Sequence, residues 1–262
     1  MLVRSWNLFH GNTVPPQRAG FLGEMIRRAT ADDPDVLCVQ EVPAWALGLF
    51  TAGDVAARPR LGPLPIGAGL GHRLTRPHQG LLRSAFSGQG NAILVGSKLR
   101  LLSRSTLTLN SRRYRDARAR QLGLGARARL AWARERRIVQ AVRLSDRAGR
   151  TFTVANLHCT SYATDERLAE AELLRAAWFA VSEAQPEDVV VLAGDFNLSA
   201  SRSSTLRDLT NDEWGFSEPG PGIDHILVRG ARATPVRRWP DEQRAWSGRL
   251  LSDHAPVELE IS

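Results

Sequence analysis

Short apolar runs recur along the chain, and many of them end abruptly on Asn, Asp, Glu or His. Residues 2–6 alternate apolar and polar, the signature of a half-buried strand. Residues 35–40, 91–95, 101–109, 138–144, 151–157, 189–192, 223–228, 233–239 and 255–261 also read as strands. The pair 138–144 and 151–157 is joined by "DRAGR", a hairpin signal. Helical spacing marks 17–30, through Phe21, Leu22, Met25 and Ile26, and a second helix is expected over 43–52. The longest predicted helix is 164–183, with Leu168, Ala171, Leu174, Ala177 and Val181 on one face and "TDE" at its start. Between 56 and 90 the chain is rich in Gly and Pro and carries no acid, which predicts irregular surface structure. Strands recur in hairpins as well as between helices, so the fold class is α+β rather than a simple alternating parallel sheet.

Composition narrows the class. The 262 residues are 43% hydrophobic and 24% charged, ordinary for a soluble globular chain long enough to bury a large core. No run approaches the roughly 18 to 20 apolar residues of a membrane span. The start, "MLVRSWNLFHG", shows no secretory h-region, so a cytoplasmic setting is expected. Cys38 and Cys159 lie in or at the end of apolar runs and read as small buried hydrophobes. We expect a single domain over 1–262, and a monomer.

The formal charge is +8, which suggests an anionic partner. Lys98 is the only lysine, so an arginine bias of the whole chain tempers that signal. The excess is nonetheless local. Residues 111–137, "SRRYRDARARQLGLGARARLAWARERR", hold ten arginines against Asp116 and Glu135, a balance equal to the whole net charge. Mixed spacing there suggests a helix broken at "GLG". Arg112, Arg113 and Arg115 are candidates for phosphate contact, with Tyr114 and Trp132 available for stacking; a solvated basic face is the competing reading.

The polar strand ends carry the candidate chemistry. Asn7, Glu41, His158, Asp195, Asn197, Asp224, Asp253 and His254 all stand at or beside an apolar run. One such residue is unremarkable, because loops begin there. Together they supply carboxylates and an amide for a hard cation such as Mg²⁺, histidines for proton transfer, and neutral donors for phosphate oxygens. No close His/Cys cluster indicates zinc, and His72 and His78 read as solvated loop residues. In "VVVLAGDFNLSA", Gly194 would let the backbone pass closely, and Asp195 and Asn197 would face one way while Phe196 anchors the turn.

These motifs, from "SWNLFHGN" through "VLCVQEVP", "GNAILV", "ANLHCTS", "LAGDFNLS" and "GIDHILV" to "LLSDHAPVELEI", resemble the endonuclease/exonuclease/phosphatase superfamily with the deoxyribonuclease I-like fold. The resemblance implies a four-layer α/β sandwich of two packed mixed β-sheets flanked by helices, and divalent-metal-dependent hydrolysis of phosphate esters. It implies Glu41 as the main Mg²⁺ ligand, Mn²⁺ being the alternative ion, with Asn7 and Asp253 nearby and Gln40 behind. His254 is implied as general base, or in another reading as phosphate binder, oriented by Asp224. Asp195 and Asn197 would position water and phosphate. His158 resembles the family's second histidine, but the acid-free stretch leaves its usual carboxylate partner without a candidate.

Nucleic acid is the leading substrate class. A small or lipid-linked phosphate ester is the alternative. A nucleic-acid-binding relative without catalysis is disfavoured by the intact set of residues. Trp239 and Trp246 are read first as packing residues and second as a wall of the cleft.

Overall fold

The computed structural model describes residues 1–16, 21–43, 46, 55–57 and 89–262. Most of the Gly/Pro stretch, with His72 and His78, lies outside the described residues, as does the helix expected over 43–52 apart from its positions 43 and 46.

Eleven strands form two large sheets. The first has six, in the order β11-β14-β1-β3-β5-β4: β1 Leu2–Asn7, β3 Val36–Pro43, β4 Val55–Ala57, β5 Gln89–Val95, β11 Arg237–Arg238 and β14 Val257–Glu260. The second has five, in the order β10-β9-β8-β7-β6: β6 Arg100–Thr108, β7 Ile138–Ser145, β8 Thr151–His158, β9 Val189–Asp195 and β10 Asp224–Arg229. Both are mixed, with parallel pairs β1/β3 and β8/β9 among antiparallel neighbours. A small third sheet joins β2 Thr13–Val14, β12 Ala245–Trp246 and β13 Arg249–Leu251.

Apolar runs such as "VLCV" are continuous because their strands are covered on both faces. Val36 and Cys38 meet Val142, Val154, Val191 and Ile226 of the opposite sheet. The alternate residues Leu37 and Val39 face outward, where helix α1 (Leu22–Ala29) covers them with Leu22, Met25 and Ala29. Full burial of a side chain such as Met25 is worth about 1.5–3 kcal/mol. On the far side the long helix α4 (Arg167–Glu183) lays Ala169, Leu173, Ala176, Ala177 and Ala180 over Ala155, Leu157 and Leu192. Helix, sheet, sheet and helix make the four layers that the resemblance implied.

Two expectations needed correction. The buried face of α4 is shifted, since Leu174 and Val181 are only half-buried while Leu173, Ala176 and Ala180 are buried. The reason is that α4 packs two ways, with Leu168 and Ala171 turned to a separate cluster. The strand expected over 233–239 is reduced to β11 and an isolated bridge at Ala233, because Pro235 has no N–H to give a ladder. The arginine segment is, as expected, a helix broken at "GLG": α2 (Arg112–Gln121) and α3 (Ala126–Arg134) part where Gly123 adopts φ +61°. They insert between β6 and β7 and bury Ala119, Leu124, Ala128 and Trp132 against α4. Short helices α5 (Ser204–Leu209) and α6 (Asp241–Arg244) complete the chain, α5 being capped by the Ser203 hydroxyl.

Candidate active site

Strand directions bring the polar ends to one rim. Asn7 lies beside Gln40 across β1/β3, His158 beside Asp195 across β8/β9, and Asp195 opposite Asp224 across β9/β10. The chain before β14 returns antiparallel to β1 and so delivers Asp253 and His254 to the same end. Gly194 has φ +146°, and a Cβ there would stand 1.9 Å from the Leu157 carbonyl oxygen. The close approach expected from "LAGDFN" is therefore present. Phe196 is fully buried beyond it.

Glu41 sits at φ +53°, just past Gln40. Its Oε1 is 3.4 Å from Asn7 Nδ2 and 3.8 Å from His158 Nε2; its Oε2 is 3.0 Å from His10 Nε2. Burial pushes the carboxyl up to about 7, against the pull of nearby Arg137. Asn7 bridges two carboxylates, because Nδ2 also donates to Asp195 Oδ2 at 2.9 Å. The Phe9 N–H donates to Asn7 Oδ1 and fixes that orientation, so Asn7 shows the site its NH₂ rather than its oxygen. Gln40 is wholly buried and donates to Asn156 Oδ1 and Ser5 Oγ, beneath the site.

Asp195 is held by Asn7 and by the Asn197 N–H at 2.9 Å. Burial, with the neighbouring Asp224 charge, raises it to about 6. The Asn197 side chain donates to the Cys159 carbonyl, and its backbone is left-handed at φ +51°. Both cysteines are buried and free.

His254 Nδ1 lies 2.8 and 3.1 Å from the two Asp224 oxygens. Its Nε2 faces Asp195 at 3.8 Å and Asp253 at 3.9 Å. Burial alone would lower its pKa, but the Asp224 hydrogen bond and the three carboxylate charges raise it to about 10. The Asp253 carboxylate is 44% exposed. The loop carrying both is clamped from three sides. Trp6 Nε1 donates to the His254 carbonyl, Ser252 Oγ donates to the Asn7 carbonyl, and the buried Arg244 guanidinium donates to the Ser252 carbonyl at 2.8 Å.

His158 Nε2 lies 3.4 Å from Asp195 Oδ2, and the ring also meets an arginine. Arg137 Nη1 is 2.9 Å from Nδ1 and 3.2 Å from Nε2 of that ring. One atom this near both nitrogens stands over the ring face, not in its plane. Burial and then the Arg137 charge hold the His158 pKa well below its usual value. Arg137 is itself buried, paired with Glu135 at 2.6 Å, and among the described residues its Nε has no hydrogen-bond partner.

The sequence reading missed three of these residues. Arg137 was hidden among arginines, although it stands one residue before β7. His10 lies three residues past Asn7 in "SWNLFHGN", and only the turn geometry reveals it. Arg244 carried no motif at all.

The insertion is tied to the rim at its neck. Asn110 donates to the carbonyls of Trp132 and Glu135 and accepts from the Arg137 N–H. Arg112 and Arg113 are exposed; Arg115 is half-buried and donates to the Asn110 carbonyl. Trp132, contrary to expectation, is not available for stacking, and Tyr114 is half-buried. Trp132 is fully buried and donates to Glu172 at 2.6 Å, while the Tyr114 hydroxyl donates to the Ala171 carbonyl. They serve the packing of α2 and α3 on α4. Trp239 is likewise buried, donating to Glu258, whereas Trp246 is 42% exposed.

The residues suit a divalent cation. Glu41, Asp195, Asp224 and Asp253 outnumber the cationic Arg137 and His254, so a phosphate anion would be repelled unless positive charge were added. Burial makes the ionised forms of Glu41 and Asp195 costly, and for Asp195 the neighbouring Asp224 charge adds to that cost. Ligand-capable atoms of Asp195, Asp224 and His254 lie within 4.8 Å of one another. Hydrogen-bond geometry identifies part of that group as an Asp–His pair, while Glu41 faces Asn7, His10 and His158 across the same rim.

A sequence profile described as the endonuclease/exonuclease/phosphatase family matches residues 5–254. No curated protein matches the chain in sequence. Among solved structures, a functionally unknown conserved protein from Enterococcus faecalis superposes with TM-score 0.69 at 18% identity, covering 100% of this chain and 99% of that one. A mannosyl-6-phosphatase from Bacteroides thetaiotaomicron gives 0.64 at 17%, covering 100% and 99%. D. rerio TDP2, complexed with a single-strand DNA product, gives 0.61 at 14%, covering 100% and 98%. These likenesses show the fold. Members of the matched family are phosphoric ester hydrolases and generally depend on a divalent metal. With the profile covering nearly the whole sequence, the chain belongs to the endonuclease/exonuclease/phosphatase family.

Proposed function

We propose that this protein is a divalent-metal-dependent phosphodiesterase acting on nucleic acid. The observation that carries the reading is the convergence of Glu41, Asp195, Asn197, Asp224, His254 and His158 on one rim, beside an insertion that holds ten arginines with its neck. Glu41 would hold Mg²⁺, with Mn²⁺ as the alternative, and Asp253 stands near enough to His254 to share the same mouth. The bound ion would neutralise charge on the phosphoryl oxygens.

The chain's own groups divide the remaining work. Asp224 holds the Nδ1 proton of His254 and leaves Nε2 to face substrate. Three carboxylates around that ring favour the imidazolium, which donates to a phosphoryl oxygen or leaving group. That supports the phosphate-binding reading of His254 over the general-base one. Asp195 is then the carboxylate in range to take a proton from water. The Asn197 amide and the neutral His158 orient the phosphate, and Arg137 adds cationic charge behind His158. Arg112, Arg113 and Arg115 would meet the flanking backbone.

One observation favours a second reading. With Trp132 buried and Tyr114 half-buried with its hydroxyl bonded to the Ala171 carbonyl, the arginine helices offer a strand little ring surface to stack on, so a small phosphate ester also suits this site.

The test is nicking of supercoiled plasmid by the full chain, with Mg²⁺ and with chelator, beside His254→Ala. We expect metal-dependent nicking, lowered about 10²–10⁴-fold in the variant. Absence of any cleavage of plasmid or oligonucleotides, with phosphate released from small esters, would establish the second reading.

A further inference from the structure

We propose that His10 is a nitrogen ligand of the divalent ion held by Glu41, so that this site prefers Mn²⁺ to Mg²⁺. The inference rests on the metal assignment made above. His10 Nε2 lies 3.0 Å from Glu41 Oε2. Two adjacent ligands of an octahedral ion with bonds of about 2.1 Å stand about 3.0 Å apart, so the pair already has the spacing of one edge.

The turn that presents His10 is built for it. Phe9, His10 and Gly11 have φ of +45°, +54° and +80°, a succession that bulky side chains rarely adopt. It is closed by hydrogen bonds from the Phe9 N–H to Asn7 Oδ1, from the Gly11 N–H to the Leu8 carbonyl and from the Asn12 N–H to the Phe9 carbonyl. It is also tied to the elements that carry the site. The Leu8 N–H donates to the Gln40 carbonyl, next to Glu41, and the Ser252 N–H donates to the Asn12 carbonyl, two residues before His254.

Ligand chemistry points the same way. Asn7 turns its NH₂ toward Glu41, so the oxygen that would suit Mg²⁺ is engaged elsewhere. His158 is 3.8 Å from Glu41 and has a guanidinium over its ring, which makes it the poorer donor. The imidazole beside Glu41 is therefore that of His10, and a nitrogen ligand favours a first-row transition ion over Mg²⁺, Mn²⁺ being the member of that series that also keeps carboxylate, carbonyl and water ligands. The competing account is that His10 only donates a hydrogen bond to Glu41 and never touches the ion.

Pulsed electron paramagnetic resonance of Mn²⁺ on metal-stripped full-length protein separates the two, because it resolves directly bound ¹⁴N. We expect nitrogen coupling in the wild type, its loss in His10→Asn and its retention in His158→Asn. Asn is among the side chains that best tolerate a left-handed backbone, so the turn is kept. Calorimetric titration with each ion should show the preference for Mn²⁺ over Mg²⁺ narrowing by about tenfold in His10→Asn. Coupling that survives in His10→Asn, or none in a Mn²⁺-loaded wild type, overturns the proposal. If Glu41→Ala instead binds Mn²⁺ as tightly as the wild type, the metal assignment itself fails.

Discussion

At Gly194 the backbone of β9 crosses the Leu157 carbonyl so closely that no side chain fits. Nothing flexible can yield there, since the obstructing atoms are main chain of the paired strand β8. Gly194→Ala should cost about 4 kcal/mol or more, because it combines overpacking with a backbone that L side chains rarely adopt. Urea denaturation would read this directly, and a variant with the wild-type midpoint would refute it. The same logic shows which residues a sequence can disclose. Gly194, Asp195 and Asn197 are adjacent, so their spacing on one strand end carried the message. Arg137 and His10 act through contacts made across the fold, Arg137 on His158 and His10 on Glu41. An arginine among ten, or a histidine in an unassigned turn, looks the same in sequence whether or not such a contact exists.

At the level of elements, the connection between α4 and β9 rests on Asp188. Its carboxylate accepts from Arg143 Nε at 2.8 Å and Nη2 at 2.9 Å, from the Thr153 hydroxyl and from the Gln185 N–H, so it fastens the helix exit to β7 and β8. Burial alone would raise its pKa, and these partners hold it well below the usual aspartate value. A depressed carboxylate contributes stability that is fully present above the ordinary aspartate range and is lost as pH falls through that range toward the folded pKa. Asp188→Asn should therefore lower stability by about 3 kcal/mol at neutral pH, with the gap to wild type closing in acid. Denaturation series at several pH values would check it; a gap independent of pH would show that the charge is not what matters. A second joint is Glu172 of α4, which accepts from Trp132 Nε1, the Thr160 N–H and the Thr160 hydroxyl. It binds the arginine insertion to the segment just past His158. Trp132→Phe should cost about 1–3 kcal/mol by leaving that buried carboxylate short of a donor, measured as a shift in denaturation midpoint. An unshifted midpoint would mean the insertion is held by its apolar contacts alone. Strand and helix periods exposed most of these elements in advance. The inward turn of Trp132 and the offset face of α4 were not exposed, because each depends on a second packing surface that the period of one helix cannot encode.

Over the whole molecule, charge is divided between two neighbouring regions. The rim gathers carboxylates, while exposed arginines line the insertion that leaves the same end of the second sheet. Arg112, Arg113, Arg120 and Arg127 are exposed on α2 and α3. If the insertion tracks a nucleic-acid backbone, each arginine that neutralises a phosphate releases counterions and steepens the salt dependence of binding. Replacing these four with Gln should make log Kobs against log salt on duplex DNA shallower by about 2 to 4, at about 0.9 per lost contact. Stability should move by no more than about 0.5 kcal/mol for each exposed position, so a weakened complex would not reflect unfolding. The measurement is binding of a fixed duplex by the full chain across a salt series, in chelator to suppress cleavage. A slope equal to the wild type would return the insertion to a solvated basic face. The rim would then have to recognise its phosphate ester without it, and a small substrate would become the better match to a site beside an insertion that offers little ring surface to stack on.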